Sequence, residues 1–335
     1  MPDPPIDPAI VLFQVGMMLL SLTACVQVIQ MRRRGTVLPY EPRRPVPWGA
    51  VGGTLAVVAL ISILYGAFAE TPEPEADVVP AVHSAFDVLD ALLAQAVVVI
   101  VFVVVVALFS RANVRDLGLP TNWHVLTRDI SIGAAACLVA LAPVHMVQNI
   151  LMSYFFPKLT ESAHPIITMI KESPSWSMLI GTGVATVILA PVCEELTFRL
   201  LLQGWLERWE DQRLGWRQTT VEVPATASEA SPLDGSVVPT NQVVEQLAPA
   251  LPAPEPPLRG IGGLPYGWFP IIVSATAFGI AHIGYGPEPV PIFLLGLVLG
   301  YVYQRTHRII PSMVTHALFN SFTMFILWLL VRSHK

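Results

Sequence analysis

Charge is what this sequence has least of. Asp, Glu, Lys and Arg together make 13% of 335 residues, against 53% hydrophobic residues, and the mean hydropathy is +0.60. A soluble domain of ordinary composition is excluded. The arginines are scattered over short loops with no basic face interleaved with aromatics, which argues against nucleic acid as a partner. The net charge of -5 says little, because in a membrane protein the placement of Arg and Lys along the loops matters more than their sum. Cysteine is scarce too. The three present, Cys25, Cys137 and Cys193, all fall within apolar runs and read as packing residues, not as a disulfide or metal framework. Met1 to Pro8 holds two aspartates and no base, so the basic region that opens a secretory signal peptide is missing and the first apolar run reads as a retained span. No internal repeat of fixed period occurs.

What is present is a series of long apolar runs. They predict an all-α, polytopic integral membrane protein with about eight transmembrane helices: Ala9 to Ile29, Ala50 to Phe68, Phe86 to Phe109, Ile130 to Phe155, Met178 to Leu206, a sixth starting near Trp268, Val290 to Tyr303, and Ile309 to Val331. Arg32, Arg33, Arg34, Arg43 and Arg44 follow the first run, and Arg111, Arg115 and Arg128 follow the third. Arg208, Arg213 and Arg217 follow the fifth, and Arg305 and Arg308 the seventh. By the positive-inside rule these loops are cytoplasmic and both termini are outside. From Gln218 to Leu258 the composition turns to Pro, Ala, Val, Ser, Thr and Glu without periodicity, which reads as a disordered cytoplasmic insertion. The expected organisation is residues 1–174 as N-terminal spans and 175–335 as the functional core, interrupted at 218–258.

The fifth run is the anomaly. After an uncharged stretch from Gly183 to Cys193 come Glu194, Glu195 and, one helical turn on, Arg199. A carboxylate in a membrane span costs roughly 2.5–3.5 kcal/mol on insertion scales, so the default reading of such residues is a functional site. Glu195 and Arg199 are i and i+4, with the acid first, the better order for an intrahelical ion pair. Glu194 is rotated about 100° away, and is left as the freer carboxylate. The competing reading is one structural ion-pair cluster that holds helices together. By helical rise Glu195 lies roughly 15 Å from the interfacial Trp205, in the inner half of the membrane.

Two later spans bring further polar groups. Phe278 and His282 are i and i+4 in the sixth, and His316 and Asn320 are i and i+4 in the eighth. Counted from the cytoplasmic ends, His316 lies about two turns in, the glutamates about three and His282 somewhat more, so the three helices can meet at one depth. Each pair alone has a plain interhelical packing role, as does His145 in the fourth span. Together they supply a base, two histidines and an amide donor, the ingredients of amide hydrolysis. Glu194 would be the general base, His282 would hold or polarise the water, and Asn320, oriented by His316, would donate to the oxyanion. Zinc held by His282, His316 and Glu194 is the other reading of the same residue types, although no His-Glu-x-x-His motif occurs.

These words, Glu194-Glu195-x-x-x-Arg199, Phe278-x-x-x-His282 and His316-x-x-x-Asn320, resemble the three signature motifs of the CPBP family of CAAX proteases and bacteriocin-processing enzymes, also called the type II CAAX prenyl endopeptidase or lysostaphin resistance protein A-like family. The resemblance covers about Gly181 to Phe325, less the insertion. It implies a helical intramembrane peptidase in the cell membrane, with a water-accessible cavity open to the cytoplasm and a peptide or protein substrate. It further implies that Glu194 activates water and Asn320 helps to form the oxyanion site, with Glu195, His282, His316, Arg199 and Phe278 completing the motifs. Both metallo and metal-free glutamate mechanisms have been argued for that family. Leu200 stands where many members have Gly, and the insertion separates the first two motifs widely. Two other classes remain open: a non-catalytic adaptor or immunity protein on the same fold, and a proton-coupled transporter using Glu and His as relay groups.

Overall fold

The computed structural model describes residues 8–35, 37–55, 57–58, 61, 85–156, 176–216, 256–283 and 287–333. Most of the expected second span, the loops at 69–84 and 157–175, and positions 218–255 of the expected insertion lie outside the described residues. Among those described the chain is all-helical, with one isolated β-bridge between Arg259 and Pro265. The helices are α1 (Pro8–Arg34), α2 (Ala85–Phe109), α3 (Trp123–Ile150, continued by a π turn at Leu151–Phe155), α5 (Trp268–Ile280), α6 (Pro289–Thr306) and α7 (Ile309–Ser333). Between α3 and α5 runs α4, built from five consecutive segments: Trp176–Val184, Ala185–Leu189, Ala190–Glu194, Glu195–Gln203 and Gly204–Leu214. The second and fourth of these are π-helical.

Four helical stretches are long and apolar enough to cross a membrane, at Pro8–Arg34, Trp123–Phe155, Leu179–Leu214 and Ile309–Leu329; Ala96–Phe109 and Trp268–Ile280 are apolar but shorter. Apolar side chains face outward as well as inward. Leu12, Val98, Leu108 and Phe109 are exposed, as expected where the surrounding solvent is lipid. Inside, Phe198, Leu200 and Leu201 of α4 pack with Phe278 of α5, Leu295 and Leu299 of α6, Leu141 of α3 and Phe319 of α7.

Local chemistry explains several ends and joints. Asn122 opens α3 by accepting the Val125 N–H at 3.0 Å, which satisfies one of the free donors of a helix N-terminus. Gly215 closes α4 in the left-handed conformation, with φ 65°, the usual glycine stop. Pro143 sits inside α3 and cannot donate to the Val139 carbonyl one turn back. The Cys25 thiol of α1 reaches that carbonyl at 3.3 Å. One turn away the Ser21 hydroxyl takes the Ala142 N–H at 2.8 Å and donates to the Leu138 carbonyl, so α1 docks on α3 through backbone groups. All three cysteines are free thiols. Gly133 lets α3 approach α7 closely: a Cβ there would stand 2.7 Å from the Pro311 carbonyl oxygen. The Thr315 hydroxyl donates to the Gly133 carbonyl at 3.0 Å. This joint places the stretch of α7 that carries the next residue, His316.

Candidate active site

The π-helical stretch Glu195–Gln203 carries the first motif. Two acids, an arginine and a proline four residues upstream interrupt regular α-packing here, and the wider turn separates side chains that an α-helix would crowd; π turns of this kind recur at functional sites. Glu195 and Arg199 form the expected pair, Oε2 to Nε at 3.2 Å, with both side chains fully buried. The Arg199 Nη1 also donates to the Ser274 hydroxyl of α5 at 2.9 Å. That hydroxyl in turn donates to the Phe198 carbonyl at 2.8 Å. Nη2 has no hydrogen-bond partner, and the guanidinium lies 5.1 Å from the centroid of the Phe278 ring, a cation–π contact that compensates part of the lost hydration.

His316 of α7 stands between the two glutamates. Its Nδ1 is 3.1 Å from Glu195 Oε1 and its Nε2 is 3.5 Å from Glu194 Oε2. A carboxylate only accepts, so the Nδ1–H donates to Glu195 Oε1, while Nε2 is turned toward Glu194 beyond hydrogen-bond length. The Glu195 carboxylate and the Arg199 guanidinium cancel, which is the condition for burying them together. The two acids differ in access, as expected from their rotation around the helix: the Glu194 side chain is 25% exposed and that of Glu195 is closed off. Glu194 Oε2 itself has no hydrogen-bond partner, since 3.5 Å to His316 is an approach rather than a formed bond.

Phe278 is the hub. The His282 ring meets it edge-on at 5.0 Å, the His316 ring at 5.5 Å and the Phe198 ring at 5.3 Å. His282 follows the last turn of α5, and its Nδ1 donates to the Phe278 carbonyl at 2.8 Å. A carbonyl cannot donate, so in the neutral ring the lone pair is on Nε2. The three motifs therefore meet around one aromatic ring.

Asn320 is placed differently from expectation. His316 does not orient it; the Nδ2 amide donates at 2.8 Å to the Thr186 carbonyl of α4. His145 lies apart from the motif residues, stacked on Phe319 with ring centroids 5.1 Å apart. Sequence reasoning missed Ser274, although a hydroxyl four residues before Phe278 in an apolar helix was a visible signal. It missed the Thr186 carbonyl because a backbone acceptor carries no residue-type signature. Among the described residues no group of three or more His, Cys, Asp or Glu is placed to hold a metal ion. Both nitrogens of His316 are turned to glutamates and Nδ1 of His282 to a carbonyl, so no step below is routed through a metal.

No curated protein and no solved structure matches the chain. A family model described as Type II CAAX prenyl endopeptidase Rce1-like matches residues 257–322. That segment contains Phe278, His282, His316 and Asn320, with Glu194, Glu195 and Arg199 upstream of it. The family matched over 257–322 is the one that all three motifs resemble, the type II CAAX prenyl endopeptidases.

Proposed function

We propose that the chain is an intramembrane endopeptidase that hydrolyses peptide bonds of membrane-associated peptides or proteins with a glutamate-activated water. The observation that carries this reading is the division of labour between adjacent acids. Glu195 is buried, paired with Arg199 and bonded by His316, while the Glu194 side chain beside it is partly exposed and its Oε2 is buried without a hydrogen-bond partner. A cluster serving packing alone has no reason to keep a carboxylate oxygen buried and unpartnered.

In this reading the Glu194 carboxylate takes a proton from water as the water oxygen bonds to the scissile carbonyl carbon. The carbonyl oxygen becomes an oxyanion, stabilised by the Asn320 amide. The His316 ring faces Glu194 across 3.5 Å. Glu194 then returns the proton to the leaving nitrogen as the C–N bond breaks, and the new carboxylic acid passes its remaining proton to the amine, so that a carboxylate and an ammonium leave. His282 Nε2, with its lone pair outward, accepts a hydrogen bond from the water or substrate. Residues 175–335 carry the chemistry and 1–174 the spans around it, in a topology of about eight spans with both termini outside and the site in the cytoplasmic half of the cell membrane.

The test is cleavage of a fluorogenic peptide panel, including a prenylated CAAX peptide, by the detergent-purified protein and by Glu194→Ala, each with and without a zinc chelator. Turnover by the parent that is lost in Glu194→Ala and indifferent to the chelator is expected. Turnover abolished by the chelator and restored by zinc would replace the metal-free step. No turnover on any peptide, with the variant equal to the parent in cells, would favour a non-catalytic adaptor on the same fold.

A further inference from the structure

Pro191, ahead of the first motif, bears on a carbonyl one turn back in its own helix. In α4 the Thr186 carbonyl would ordinarily accept the Ala190 N–H, four residues on. That N–H bonds instead to the Ala185 carbonyl, five back, in the π segment Ala185–Leu189. In the π register the donor owed to Thr186 is residue 191, which is proline and has no N–H. Thr186 is therefore left with a carbonyl that its own helix cannot satisfy, inside an apolar bundle where an unsatisfied carbonyl is costly. The group that fills it is the Asn320 amide of α7, at 2.8 Å. The chain uses the same device elsewhere: Pro143 vacates the Val139 carbonyl of α3, and the Cys25 thiol of α1 takes it.

We propose that Pro191 is a positioning residue for Asn320: by withholding an N–H from the Thr186 carbonyl it reserves that carbonyl for the Asn320 amide. One Nδ2 hydrogen is then held by α4, which fixes the plane of the amide and leaves the second hydrogen for the oxyanion. The catalytic half of this inference rests on the peptidase reading; the hydrogen-bond half does not. Pro191 touches neither substrate nor water and acts only through Asn320.

The experiment is a double-mutant cycle on the full chain in detergent, with Pro191→Ala, Asn320→Ala and the double variant, read by cleavage kinetics and by thermal unfolding. Pro191→Ser, which supplies the same N–H, is a second route should the alanine variant not fold. With an N–H at 191 competing for Thr186, kcat is expected to fall about tenfold or more with KM within about twofold of the parent. In the Asn320→Ala background the same change is expected to do nothing further. In unfolding, Asn320→Ala strands the Thr186 carbonyl in the parent but not in Pro191→Ala, so it lowers the midpoint in the first and much less in the second. Additive effects in both readouts overturn the proposal. Coupling in unfolding from a parent that cleaves no peptide keeps the Pro191–Asn320 linkage and overturns the peptidase reading instead.

Discussion

Glu194 and Glu195 are chemically identical neighbours with opposite surroundings, and opposite substitutional effects follow. Glu195→Gln removes the carboxylate that faces both Arg199 and His316 in the closed interior. Breaking one side of a buried pair strands the other charge and typically costs about 3–5 kcal/mol. The variant is expected to unfold well below the parent in a thermal scan in detergent. Glu194→Gln takes a charge from a partly exposed side chain whose Oε2 makes no hydrogen bond, so its midpoint should stay near that of the parent while turnover is lost. Were Glu194→Gln the destabilised variant and Glu195→Gln the inactive, stable one, the roles assigned to the two acids would be exchanged. At this scale the sequence was informative. The spacing of Glu195 and Arg199 sufficed for their pair, and rotation around the axis sufficed to leave Glu194 apart. The His316 contacts with both acids were not readable, because depth counted along separate helices places residues at a level without saying which way they turn.

At the scale of elements, the site depends on how closely helices approach, and glycine sets that distance at the joint between α3 and α7. A Cβ on Gly133 would stand 2.7 Å from both the Pro311 carbonyl oxygen and the Val314 Cβ; neither is the end of a flexible chain. Gly133→Ala should therefore push α7 outward and displace the stretch carrying His316, lowering both the unfolding midpoint and turnover. Gly16→Ala in α1, where nothing lies within 4 Å, should be neutral or stabilising by about 0.5–1 kcal/mol through helix propensity. Equal effects at the two positions would show that the close approach is not a constraint. The helices themselves were legible as apolar runs. The π segments of α4 were not; at Ala185–Leu189 the Thr186 carbonyl takes its donor from Asn320 of a different helix, a tertiary fact with only a local trace. The sixth expected span is an apolar helix of 13 residues over Trp268–Ile280, shorter than the four long enough to cross a membrane.

At the scale of the molecule, α3, α4, the end of α6 and the joint between α6 and α7 are tied by ion pairs and hydrogen bonds to the segment between α1 and the second expected span. Arg43 bonds Glu207 at 2.8 Å and Tyr303 at 2.9 Å, and Arg308 pairs with Glu41 and Asp129. In the loop after α2 the buried Asp116 carboxylate takes Arg44 and the Asn113 N–H. Burial pushes the Asp116 carboxyl up, but the hydrogen bonds from Arg44 and Asn113 and the Arg44 charge outweigh it and hold the group below its ordinary range. A depressed folded value means stability that is present above the unfolded pKa, about 4 for Asp, and lost as pH falls through the folded one. The unfolding midpoint should fall as the solution is acidified below about pH 4, and Asp116→Asn should flatten that limb; an unchanged limb would assign it to other acids. The arginine loops that suggested sidedness from sequence thus have specific carboxylate partners here, which composition alone could not identify. Glu194 carries the proposed chemistry of the whole molecule, and its most direct test is single-turnover cleavage in ¹⁸O-enriched water by the parent and by Glu194→Gln. One ¹⁸O in the new carboxyl group, formed by the parent and at a rate reduced by orders of magnitude in Glu194→Gln, is the predicted result; cleavage by Glu194→Gln at the parental rate would contradict it.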